Sequence, residues 1–166
     1  MSESVCSVCP GRAYIKQSTK AFDASKTERY CQNTILNAVF SSYYSKAVKS
    51  KIKIESHLAI PNELPVDAAE LSIVIANALE NAINATKKLP EEQRVISCRY
   101  KIGPKHMLQI SNPYKGKVRF DSKGRPYSKK AEHGIGTLST ITFSEKYGAE
   151  LDYKAEDGWF YMRMIL

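Results

Sequence analysis

The segment Leu71–Ala85 constrains this chain more than any other. It is apolar enough to be buried on most sides of a helix, yet it carries Asn77, Asn81 and Asn84. Spacings of four and then three place all three amides on one helical face. A buried amide without a partner costs about 1–3 kcal/mol. A single asparagine could be satisfied by backbone or ordered water, but three on one face point to a bound polar ligand. The helix is thus expected to be buried on most sides and to meet a polar ligand along its asparagine stripe.

The flanking sequence supplies the rest of the architecture. Asp67 and Glu70 have capping-box spacing at the start of this helix, and Lys87-Lys88-Leu89-Pro90 closes it. Upstream, the three- and four-residue recurrence of Ile35, Leu36, Val39, Phe40, Tyr43, Tyr44 and Ala47 predicts an amphipathic helix over 28–49. Ile52, Ile54, Leu58 and Ile60 alternate with Lys53, Glu55 and His57, as in a half-buried strand ended by Pro61 and Pro65. Strands are expected over about 94–102 and 107–112, a helix over 137–147, and strands over 149–154 and 159–166 about an Asp157-Gly158 turn. Residues 115–132 are polar and aperiodic, the signature of a functional or disordered loop. Helices and mostly antiparallel strands in this order predict an α+β fold: a two-layer α/β sandwich with a mixed sheet and helices on one face.

A second motif, Glu132-His133-Gly134-Ile135-Gly136-Thr137-Leu138-Ser139-Thr140, opens the helix at 137. Its two glycines let a ligand approach the backbone, and the free N–H groups of a helix start favour phosphate. Alone, a Gly-x-Gly is often only a turn. Combined with the asparagine helix, it resembles the ATP-binding module of the GHKL superfamily, in the branch found in quorum-sensing-type histidine kinases of Gram-positive bacteria. Residues 71–85 resemble that family's N box, and His133-Gly134-Ile135-Gly136 its glycine-rich G2 box. Leu108-Gln-Ile-Ser-Asn112-Pro113 is similar to the adenine-reading strand end, and the stretches at 145–148 and 159–166 to the closing helix and last strand.

The resemblance implies a Bergerat-type ATP-binding domain over residues 30–166. Residues 1–29 are set apart as an N-terminal segment, a remnant of a dimerisation hairpin. It also implies roles. Asn81 would coordinate Mg²⁺, while Asn77 would bond phosphate or order the waters of the metal. Asn84 completes the stripe, and Asn112 would accept from the adenine amino group. The backbone of His133, Gly134, Ile135, Gly136 and Thr137 would hold phosphate, with Lys130, beside Ser128 and Lys129, reaching it from a lid. No catalytic side chain is singled out. Hydrolytic members of the superfamily carry a Glu where this chain has Asn77, and an amide is no general base. The expected role is to bind Mg–ATP or ADP and pass the γ-phosphate to a histidine outside this chain. The implied partners are the dimerisation and phosphoacceptor region of a parent kinase and a response regulator. The expected location is cytoplasmic, at the cytoplasmic face of the membrane in the parent, with membrane contact only through upstream segments.

Composition narrows the alternatives. At 166 residues the chain suits one domain, and no apolar run reaches the length of a membrane span. A net charge of +8 raises nucleic-acid binding, but its densest basic stretch, Lys46 to Lys53, has no arginine and straddles a helix end and a strand start, so nucleic acid is not expected as a partner. Cys6 and Cys9 form one C-x-x-C without a second pair, a poor zinc signal. Of the three histidines, His57 falls in a strand, His106 near a turn and His133 in the glycine motif, and none suits a phosphoacceptor helix. A nucleotide-binding or protein-interaction module that transfers nothing is the main alternative.

Overall fold

The computed structural model describes residues 29–127 and 134–166. The first helix among the described residues, α1 (Thr34–Lys49), begins later than the expected start at 28. Asn33 stops it, because its side chain accepts from the Leu36 N–H at 3.1 Å while donating to the Asn62 carbonyl at 3.0 Å. The preceding residues turn back, and Asn37 Oδ1 takes the Tyr30 N–H at 2.8 Å. Strand β1 (Lys53–Leu58) follows, then α2 (Ala68–Thr86), a single 3₁₀ turn at Glu91–Gln93, β2 (Val95–Lys101) and β3 (Met107–Pro113).

Asp67 caps α2 through the Glu70 N–H at 2.9 Å. Only half of the expected capping box forms. The Glu70 carboxylate instead pairs with Lys146, and the Asp67 N–H meets the Tyr147 hydroxyl at 3.4 Å. Both partners belong to α3 (Gly134–Tyr147), so the start of α2 is tied to the end of α3. After Gly148, which takes φ +62°, come β6 (Glu150–Glu156) and β7 (Trp159–Ile165). Asp157 (φ +51°) and Gly158 (φ +76°) join them, and positive φ at both central residues is what a two-residue hairpin of this twist requires.

Residues 115–132 were expected to be aperiodic. Within them lies a small two-stranded hairpin, β4 (Arg119–Phe120) and β5 (Pro126–Tyr127). Asp121 organises it: Oδ1 accepts from the N–H groups of Lys123 and Arg125, and Oδ2 from Arg125 Nε at 2.9 Å. Strands of two residues have no room to display an alternating pattern.

The main sheet has the order β1-β2-β3-β7-β6. The β1–β2 pair is parallel and bridged by α2; every other neighbouring pair is antiparallel. Ile96, Cys98 and Tyr100 of β2, Leu108 and Ile110 of β3, and Met162 and Met164 of β7 face one way and are buried. Against them lie Leu71, Val74, Ile75, Leu79, Ala82 and Ile83 of α2, with Leu36, Phe40, Tyr44 and Ala47 of α1 and Phe143 of α3. Burying each large apolar side chain of this set is worth about 2 kcal/mol. The result is the expected two-layer sandwich of a mixed, mostly antiparallel sheet and one helical layer, and α1 is part of that layer. No helix among the described residues is long and apolar enough to cross a membrane. Cys31 and Cys98 are buried in the core, whereas Cys6 and Cys9 lie outside the described residues.

Candidate functional site

One face of α2 overhangs a cleft of about 240 Å³. Asn77, Asn81 and Asn84 line it from above, interleaved with Ala78, Ala82 and Ala85. Ile110, Asn112, Phe160 and Met162 from β3 and β7, and Tyr153 from β6, form the floor. Val118, Pro126 and Tyr127 of the hairpin segment make one wall, and Thr140 of α3 another.

The premise of a buried asparagine stripe is corrected by this arrangement. Asn81 and Asn84 are exposed and Asn77 is half-buried. The helix buries its opposite face and turns the amides towards open space. No described residue hydrogen-bonds any of the three side chains. The cost of an unpaired amide is therefore met by solvent, and the three groups remain available to a ligand.

Asn112 is different. It is 2% exposed, sits on the core face of β3 opposite Phe160 of β7, and donates from Nδ2 to the Pro113 carbonyl at 2.8 Å. A carbonyl can only accept, so this bond fixes the amide orientation and leaves Oδ1 as an acceptor. Tyr153 is also mostly buried. Burial pushes its hydroxyl up to about 12, eased by a hydrogen bond with Thr140. Its ring lies 6.0 Å from that of Phe160.

The glycine motif is partly placed. The helix begins at Gly134, earlier than the expected 137, so Gly134, Ile135, Gly136 and Thr137 form its first turn. The end of α3 is held beside the start of α2 by Lys146 and Tyr147, and Thr140, two turns earlier, lines the cleft. At 1.5 Å per residue the first turn of α3 lies one further turn along, about 5 Å beyond Thr140. His133 and Lys130, with Ser128 and Lys129, lie outside the described residues.

Several cleft residues were not singled out in the sequence: Thr140, Tyr114, Tyr127, Tyr153 and Phe160, together with Lys88 at the edge. Tyr153 and Phe160 read as ordinary strand positions, and only their pairing across β6 and β7 puts them beneath the asparagines. Among the described residues no carboxylate or histidine lines the cleft. Glu80 points away, towards Lys46 of α1 at 3.5 Å.

A helix of small residues and amides, closed over a strand floor with the start of another helix alongside, defines a polar-ligand cleft between the layers of a two-layer sandwich. Residues 66–166 match the family described as the GHKL domain, and the chain belongs to that family. Among solved structures it is similar in fold to the nucleotide-free catalytic domain of histidine kinase ThkA, with a TM-score of 0.60, 14% identity, and coverage of 80% of this chain and 90% of that one. It is also similar to the Acinetobacter baumannii histidine kinase AdeS, with TM-score 0.59, 13% identity, and coverage of 80% and 62%. For the mycobacterial sensor histidine kinase MprB the values are 0.56, 16%, 80% and 92%. No curated protein sequence matches the chain.

Proposed function

We propose that this chain is the Mg–ATP-binding catalytic domain of a sensor histidine kinase, of the branch used in Gram-positive quorum sensing. In this reading residues 30–166 form the nucleotide-binding domain, on the cytoplasmic side of the membrane. The observation that carries the proposal is the convergence of Asn77, Asn81, Asn84 and Asn112 on one cleft, with the Asn112 amide orientated to accept. An acceptor on a mostly apolar floor suits the exocyclic amine of adenine. Amide groups at the rim suit the triphosphate, with the first turn of α3 offering free N–H groups to phosphate oxygens. His133 and Lys130 complete the proposed phosphate-binding set.

The donor set fits Mg²⁺. Mg²⁺ takes few protein ligands, which are hard oxygens, and fills the rest of its shell with phosphate and water. The Asn81 Oδ1 would hold it, with Asn77 ordering its waters, and the bound ion would offset charge on the transferring phosphate. The chain's own residues bind and orient the nucleotide. The lack of a carboxylate among the described cleft residues leaves water without a base there. The γ-phosphate would then pass to a histidine in the dimerisation region of a parent kinase and onward to a response regulator.

Calorimetry with ATP and ADP, with and without Mg²⁺, tests this. Binding should strengthen with Mg²⁺, and Asn81→Ala should remove the metal-dependent part while the fold persists. Equal binding by the variant would overturn the assignment.

A further inference from the structure

We infer that Tyr127 is a ligand-binding residue, supplied by the β4–β5 hairpin as an aromatic cover for the planar base of the bound nucleotide. This rests on the nucleotide reading above and extends it to a residue that lies in neither the asparagine helix nor the glycine motif.

Three observations carry it. First, the roof of the cleft offers no large flat surface, since α2 contributes only asparagines and the small Ala78, Ala82 and Ala85. Second, Tyr127 lines the cleft yet is 50% exposed, and no described residue gives it a hydrogen bond or ring contact. By contrast, Tyr153 and Phe160 are already packed against each other in the floor. An aromatic ring with one side on an apolar cleft and the other in water gains by covering a ligand. Third, the ring is presented by a braced element. The Asp121 carboxylate accepts three hydrogen bonds across the turn, and the Asp121 N–H donates to the Arg125 carbonyl at 2.9 Å. Such bracing lowers the ordering cost of binding. Arg119, exposed and without an ion-pair partner among the described residues, stands directly opposite Tyr127 in the ladder. This places positive charge on the same hairpin, outside the cleft lining itself.

Stacking of a base on an aromatic side chain is worth about 1–3 kcal/mol by alanine substitution, or about 5- to 150-fold in affinity. Calorimetry on the full chain should compare Mg–ATP with tripolyphosphate, which lacks the base, for wild type, Tyr127→Phe and Tyr127→Ala. The expected result is at least a fivefold loss of ATP affinity in Tyr127→Ala, near wild-type affinity in Tyr127→Phe, and unchanged tripolyphosphate binding in both. Wild-type ATP affinity in Tyr127→Ala would overturn the inference. So would an equal loss in Tyr127→Phe, or a parallel loss of tripolyphosphate binding, which would indicate a disturbed hairpin. Failure of the wild-type chain to bind any nucleotide would overturn the nucleotide reading and this inference with it.

Discussion

Asn112 donates to the carbonyl of its own neighbour, Pro113, and thereby commits its other amide atom to accepting. A base with an amino group at the matching position is complementary to that acceptor; a base with a carbonyl there is not. ATP should therefore bind at least tenfold more tightly than GTP. Asn112→Ala should weaken ATP about tenfold, consistent with the loss of one buried hydrogen bond, and should bring the two nucleotides close together. Competition binding with both nucleotides checks this, and undiminished preference in the variant would rule out Asn112 as the selecting group.

The chain should not label itself from γ-labelled ATP and should hydrolyse ATP slowly. His57 is exposed on β1, and His106 is bonded to Tyr100; neither lines the cleft. Acid-labile, base-stable label on His57, His106 or His133 would contradict transfer to a histidine elsewhere. Rapid phosphate release would show that water has found a base.

Tyr100 is 1% exposed, and its hydroxyl lies 2.7 Å from His106 Nδ1. Replacing His106 with alanine strands that hydroxyl and should cost about 1–3 kcal/mol in urea unfolding. Adding Tyr100→Phe should recover part of the loss, because no polar group then remains to be satisfied. If the two single losses simply add in the double variant, the pair is not coupled in this way.

The backbone and side-chain hydrogen bonds of the β4–β5 turn hold the Asp121 carboxyl below its ordinary value of 3.8. A depressed folded-state value means that this contribution is complete above pH 3.8 and fades as pH falls through the lower folded value. Protection of the Lys123 and Arg125 amides should therefore survive at neutral pH and be lost on acidification below 3.8, before that of β3. Asp121→Ala should remove it at every pH. Amide exchange resolved by residue tests this, and simultaneous loss in the hairpin and β3 would mean that only global unfolding was observed.

Mg–ATP should slow exchange and proteolysis in the segment running from Lys115 past Arg125. Lys115, Lys117, Arg119 and Lys123 are exposed there, while Val118 and Tyr127 face the cleft. Equal protection with and without nucleotide would mark the hairpin as a fixed wall that the ligand does not touch.

Much of this was legible in the chain. The Asp67 cap and the apolar period of α2 are local signals, and they place that helix within a residue or two. Asn33 offered an equally local stop for α1: the apolar recurrence itself begins only at Ile35, and the expected extension back to 28 ran past that cap. The exposure of the asparagines was not legible, because a helix with little polar face looks the same whether it borders a core or a cleft. The parts of the cleft from Tyr153 and Phe160 depend on register between β6 and β7, and those from Tyr127 on a hairpin too short to leave a pattern. Long-range pairing assembles these groups, and no window of sequence contains it.

The position of β7 between β3 and β6 has a kinetic consequence. The β6–β7 hairpin can close locally about its two-residue turn, but its docking on β3 joins residues as distant in the chain as Ile110 and Met162. Such non-local closure is slow because the entropy of the intervening chain is lost before the contact is gained. Ile110, Phe160 and Met162 share a floor only after that step. A ligand that needs the floor therefore has nothing to hold in the transition state if the step is rate-limiting. It would lengthen the lifetime of the native state by slowing unfolding and leave the rate of folding unchanged.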